Sequence, residues 1–238
     1  VTTDHSAAIR LAKSQGIQVA VAVSVSGVSF GALATVSGFT LGQTMVLSLV
    51  MFSGASQFAL IGIVSAGGLG AWGPAVFTAA LLGLRNGLYA LRMSPIIGPG
   101  ALKRVVAAQV TVDESTAVGA NQASVEAGRA GFWTAALWLY VGWNLATFAG
   151  ALLGDVVGDV SAYGLDAAAA AAFLGLVWPR LREGEPAAIA LGAAVLTVVF
   201  LPIVPAGIPV LLVAVVAIGV AIWRHYTSPE RPPRLESA

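Results

Sequence analysis

Seven apolar stretches, at about 16–36, 42–66, 74–92, 131–153, 164–182, 187–202 and 208–224, follow one another along this chain with little between them. A bilayer core about 30 Å thick takes roughly 20 apolar residues per helix, so each stretch is of a length to span or nearly span one. Their borders carry helix punctuation, including Gly38, Gly42, Gly67-Gly68, Pro95, Pro99, Pro179, Pro202 and Pro205. Pro186 is further punctuation, and Pro74 and Pro209 suit first helical turns, where a missing N–H costs nothing. With 58% hydrophobic and only 10% charged residues, one soluble globule could not hide this much apolar surface. The reading is an all-α integral membrane protein of about seven helices with broken or re-entrant elements, a single transmembrane domain over 16–225. A polar interfacial segment (1–15) precedes it and a polar cytoplasmic tail (226–238) follows.

The same composition excludes whole classes of function. A net charge of +1 gives no electrostatic reason to bind nucleic acid. Without cysteine there is no disulfide, thiolate nucleophile or Cys-ligated metal. Both histidines, His5 and His225, lie in the polar ends, so a metal or cofactor held by intramembrane His is not expected. No Ser–Lys or paired-Asp arrangement is evident on facing spans, which argues against an enzyme. Arg10 and Lys13 before an apolar run resemble a signal peptide superficially, but no small-x-small cleavage pattern ends the run.

Orientation rests on where Lys and Arg fall. Arg92, Lys103 and Arg104, then Arg180 and Arg182, then Arg224, Arg231 and Arg234 all favour the cytoplasm, leaving the Asp155 to Asp159 loop outside. Residues 105–127 carry Gln109, Asp113, Glu114, Asn121, Gln122 and Glu126 and are too polar for a lipid-facing span. Seven crossings with the N-terminus outside are the preferred scheme, although they strand Arg10 and Lys13. Eight crossings would strand Arg92, Lys103 and Arg104 instead, whereas one re-entrant segment among the first three stretches would satisfy every charge. Phe30-Gly31-Ala32-Leu33 and Phe148-Ala149-Gly150-Ala151-Leu152 open similar stretches, as two three-helix units of inverted topology plus one helix would.

Polar residues at membrane depth mark candidate sites. Phe52-Ser53-Gly54-Ala55-Ser56-Gln57-Phe58 lies midway along the second stretch, where small and polar groups need something other than lipid to face. A helix break at Gly54 would leave N–H groups at a half-helix N-terminus, able to hold a carboxylate, with Ser53, Ser56 and Gln57 adding hydrogen bonds. Small-residue packing is the competing explanation. Ser29 and Gly31 form a second break candidate, although Gly27 and Gly31 also have the spacing of a packing face. Arg85 sits deep in the third stretch, with Asn86 beside it and Tyr89 one turn on, and needs a partner or a wetted cavity. These residues are candidates for substrate binding, Arg85 holding a carboxylate with its planar fork or pairing with an acid, while snorkelling to the interface is the competing explanation. Asp113 or Glu114 could supply the partner, and either could carry a proton. Asp166 reads as an early-turn acid, and Trp138 with Asn144 as cavity-lining residues at depth.

Phe30-Gly31, the SGASQF tract at 53–58, Arg85 with Leu88-Tyr89, Asp113-Glu114-Ser115, and Gly164-Leu165-Asp166 leading to Phe173 resemble, in this order, the AzlC family. The resemblance covers about residues 16–225. It implies export of branched-chain amino acids across a bacterial inner membrane, driven by the proton gradient, together with a small AzlD-type membrane subunit. One departure is informative: the family commonly reads Asn-x-Arg-His before its Leu-Tyr pair, where this chain has Gly83-Leu84-Arg85-Asn86. Suspicion for proton handling therefore moves to Asp113 or Glu114.

Overall fold

A computed structural model of the protein describes residues 2–157, 174, 178, 180–182, 184–204 and scattered positions from 208 to 219. The chain forms two compact units, Val1–Val177 and Trp178–Ala238. No strand occurs among the described residues.

The first unit is organised by two parallel rods. One is α1 (Thr2–Ser24) continued by α2 (Ser26–Val36), with a slight interruption at Val25, and the other is α8 (Val125–Val157). Their contacts climb together: Gly131 lies against Ala12, Gly16 against Ala135, Gly27 against Trp143 and Thr147, and Gly154 against Ala32. Both rods therefore cross in the same direction. Glycine is what lets the backbones approach, because a Cβ on Gly27 would stand 2.8 Å from the Trp143 carbonyl oxygen. At Gly31 and Gly150 the added carbon would collide with the Thr147 and Val28 carbonyls outright.

Two parallel crossings require an odd number of returns between them. The one described helix between them long enough to return is α5 (Trp72–Ile97), whose 26 residues span about 39 Å. Trp72 packs on Phe39, just past the end of α2, and Arg129 near the start of α8 donates to the Ile96 carbonyl at 2.8 Å. So α5 descends from the upper end, where α2 finishes, to the lower end, where α8 begins.

The four remaining helices make two hairpins that enter and leave on the same side. Thr40 caps α3 (Leu41–Val50) through a reciprocal pair with Gln43. This helix descends from the upper end, passing Thr147 at Ser48 and Tyr140 at Leu49. After the break at residues 51–53, α4 (Gly54–Gly67) climbs back antiparallel to α5, with Ser56 beside Gly83, and a 3-10 turn (Gly68–Ala71) leads into α5. From the lower end, α6 (Ala101–Val110) rises until Gln109 reaches the end of α3, and α7 (Asp113–Ala120) descends until Gln122, just beyond it, meets Gln15. Helices of 10, 14, 10 and 8 residues extend only about 12–21 Å, too short to cross a bilayer singly. Met93, Ile97, Ala107, Val110, Phe132 and Ala136 form the apolar core that seats the lower hairpin between α5 and α8.

Several expectations change accordingly. The stretch 42–66 does not cross once but turns back at mid-depth, because its break splits it into two short helices. The parallel course of α1–α2 and α8 does not fit the scheme with the N-terminus outside, which would make them antiparallel. Arg10, Lys13, Arg92, Lys103, Arg104 and Arg129 all belong to lower-end segments, as the re-entrant scheme requires. Residues 105–127 neither cross nor lie along the interface but form most of the lower hairpin. The stretches opened by Phe30 and Phe148 lie on rods running the same way, so inversion does not relate them. Residues 2–15 continue into the span as part of α1 rather than forming a separate segment.

In the second unit, α9 (Gly184–Phe200) matches the stretch at 187–202, with Pro186 in its first turn. Asp166, Phe173, most of 164–182 and 208–224, and the tail 226–238 lie outside the described residues.

Candidate functional site

The two hairpin tips meet at mid-depth, joined by the Gln109 amide, which donates to the Leu49 and Val50 carbonyls at 2.9 and 3.1 Å. Each tip is closed the same way, by a polar side chain early in the returning helix. In the upper hairpin the Gln57 amide donates to the carbonyls of Leu47 and Met51 (3.3 and 2.8 Å). In the lower one the Ser115 hydroxyl donates to the Val110 carbonyl at 2.8 Å and accepts from the Val112 N–H at 3.0 Å. Both side chains are fully buried. Without Ser115 the Val112 N–H and the Val110 carbonyl would be left unsatisfied in an apolar interior, at a cost of about 1–3 kcal/mol each. Gln57, by contrast, adds a second donor to carbonyls that already accept from the Met51 and Ser53 N–H groups.

The break at the upper tip exposes a helix N-terminus. Ser53 is extended (φ −157°, ψ 100°), and the first bond back along α4 runs from the Gln57 N–H to the Ser53 carbonyl at 2.9 Å. The amides of Gly54, Ala55 and Ser56 thus have no helical acceptor. No side chain caps them, since the Ser53 hydroxyl pairs with that of Ser56 at 3.1 Å, and the first turn holds no acid. Such an end carries about half a positive charge. The lower tip is the opposite case: α7 begins with Asp113 and Glu114.

Between the tips lies a hollow of about 90 Å³. Ser53, Gly54 and Ala55 line it from the upper hairpin, Asp113 and Glu114 from the lower, and Arg85 from α5, while Phe52, Phe58, Leu139 and Trp143 make it largely apolar. Arg85 pairs with Asp113 at 2.6 Å, and the Tyr89 hydroxyl donates to the same carboxylate at 2.7 Å. Asp113 is fully engaged with α5 as a result. Two donors nevertheless stay buried without acceptors, Arg85 Nε and Trp143 Nε1, both on residues that line the hollow. Trp143 is held by Phe30, stacked at 6.3 Å, and by Phe58, edge-on at 6.4 Å.

The remaining candidates separate. Asn86, Ser53 and Ser56 line a second hollow between α4 and α5. Gln57 braces the hairpin, and its Oε1 is buried without a partner. Gly31 is a packing residue against α8, and Ser29 is half-buried beside it, lining neither hollow. Trp138 is half exposed and lines neither hollow, while Asn144 bonds back to the Tyr140 carbonyl at 2.7 Å. Trp143 is the tryptophan that matters; its position midway along a span was the available signal. Val23 and Ser26 also line the first hollow, and nothing in the sequence marks them.

A family model described as AzlC protein matches residues 18–157, which hold both hairpins and the rods around them. The chain belongs to the AzlC family. It is similar to an uncharacterized membrane protein of Archaeoglobus fulgidus, 34% identical over 171 residues that cover 70% of this chain and 73% of that one. No solved structure matches. As an AzlC protein the chain is a helical membrane protein of a transport family.

Proposed function

We propose that this AzlC protein is a secondary transporter that binds a small apolar amino acid as its zwitterion between the two hairpin tips. One observation carries the reading: a single small, mostly apolar hollow is bounded both by an uncapped helix N-terminus and by carboxylates. The substrate carboxylate takes the free amides of Gly54, Ala55 and Ser56. The idle Arg85 and Trp143 N–H groups are further donors for it. Its ammonium faces Glu114, since Asp113 already answers Arg85. A branched aliphatic side chain suits the rings of Phe52, Phe58 and Trp143. Arg85 then has two parts, holding the lower tip to α5 through Asp113 and offering its buried Nε–H to the ligand.

The family resemblance adds the direction and the company: export of branched-chain amino acids across the bacterial inner membrane, coupling to protons through Asp113 or Glu114, and a small AzlD-type subunit. The gathering of positive charge at the lower end supports a cytoplasmic location for it. A re-entrant pair that closes a site at mid-depth favours a carrier over a channel, whose conduction needs a continuous polar path. The test is counterflow of labelled leucine, valine, isoleucine and methionine in proteoliposomes, with and without the small subunit. Saturable exchange of at least one is expected. Absence of exchange under both conditions, or flux that rises without saturation, would overturn the reading.

A further inference from the structure

The tip of the upper hairpin separates two hollows. The second, of about 330 Å³, runs between α4 and α5 from Asn86 at mid-depth toward Val76 near the upper end. It shares just two lining residues with the first, Phe52 and Ser53. Consecutive residues of α5 divide between them, Arg85 lining the first and Asn86 the second, as a turn of about 100° per residue allows.

The second hollow has polar equipment of its own. Ser56 and Asn86 line it, and Asn86 Oδ1 is buried without a hydrogen-bond partner, an acceptor awaiting a donor. Leu60, Val76 and Ala79 supply an apolar wall. Acceptors beside such a wall fit the ammonium and side chain of the same class of ligand.

Phe52 is built as a partition. It lies in the unwound segment, where Met51 (φ −94°, ψ 63°) and Ser53 have left the helix, so its backbone is not held by a regular ladder. Its ring is 7% exposed and packs edge-on against Tyr140 at 4.9 Å, while the Tyr140 hydroxyl donates to the Leu49 carbonyl at 3.1 Å. The ring thus borders both hollows and rests edge-on against Tyr140 of α8.

We propose that the hollow between α4 and α5 is a second station for the same zwitterionic amino acid, and that the Phe52 ring is the partition it passes between stations. The proposal rests on the transporter reading above. The absence of native cysteine makes single-cysteine protection a direct test. Ala55→Cys reports the first hollow and Ala80→Cys the second. In proteoliposomes of the full chain, leucine is expected to slow alkylation of both by a small thiol reagent.

Phe52→Trp should lower leucine counterflow about tenfold and weaken the protection of Ala80→Cys with it. Phe52→Ala should admit phenylalanine at least about tenfold better relative to leucine, the scale on which apolar pockets discriminate by size. Phe52→Leu repeats the measurement should the alanine variant not fold. Protection at Ala55→Cys without any at Ala80→Cys overturns the second station. Wild-type rate and selectivity in the Phe52 variants overturns the partition. No counterflow by the unmodified protein, with no protection at Ala55→Cys, overturns the transporter reading itself.

Discussion

The two hairpins are alike in build and opposite in charge. Each is a pair of half-length helices turning at mid-depth, and each is stapled by one buried polar side chain, Gln57 above and Ser115 below. Above, the returning helix starts with Ser53-Gly54-Ala55 and no acid; below, it starts with Asp113-Glu114. Both helix ends carry the same partial positive charge. The lower one is answered by its own side chains and the upper one is left for something else. The shared build thus reads as scaffold, and the difference between the tips as function.

Giving the upper tip an acid of its own should therefore have the largest effect. In Ala55→Asp the new carboxylate lies in the first turn of α4, where the free amides of that end and the buried Arg85 Nε–H offset the cost of its burial in the hollow. The same carboxylate would occupy the place proposed for the substrate's. Leucine counterflow is expected to fall about 100-fold, equivalent to about 2.7 kcal/mol of lost binding, while the melting temperature in detergent stays level. A variant that transports normally would show that the upper tip is not the anion site.

Removing charge from the lower tip should break something different. Arg85→Ala strands Asp113, and Asp113→Asn strands Arg85, at a depth where an unpaired charge is costly. Breaking a fully buried pair costs about 3–5 kcal/mol; these side chains are 31% and 34% exposed, so about 1–3 kcal/mol is expected. Both single variants should lose transport and melt earlier. The double variant Arg85→Ala/Asp113→Ala should regain part of the stability but none of the transport, a coupling readable in a double-mutant cycle. Additive losses would mean that the pair does not hold the lower tip to α5.

How much of this was legible beforehand follows the physics of each residue. Arg85 could be read as needing an acid because a charge at depth has few ways to survive, and Asp113 was among the acids expected to answer it. The break at Ser53-Gly54 could be read because small polar residues have no business facing lipid. The path of the chain could not. Hydropathy sums over a stretch, so the 10 residues of α3 and the 14 of α4 add up to one apparent span although they run in opposite directions. Nor does hydropathy register which rods are parallel; that comes from Gly27, Gly31 and Gly150, whose want of a Cβ matters only against a particular neighbour. Trp143 went unsingled because tryptophan in a membrane helix is ordinarily an interfacial anchor, and its role here depends on Phe30 and Phe58, distant in sequence.

The staples give the smallest effect and the cleanest comparison. Gln57→Leu leaves the carbonyls of Leu47 and Met51 without that second donor, and Ser115→Ala deprives the Val112 N–H and Val110 carbonyl of their partner. Each should cost about 1–2 kcal/mol in thermal or denaturant unfolding, Ser115→Ala the more because it leaves groups unsatisfied. Neither should change which amino acids compete for counterflow, because neither residue lines the first hollow. Should Gln57→Leu alter substrate preference while Ser115→Ala alters stability alone, the upper staple belongs to the site after all. The likeness between the hairpins would then stop at their backbones.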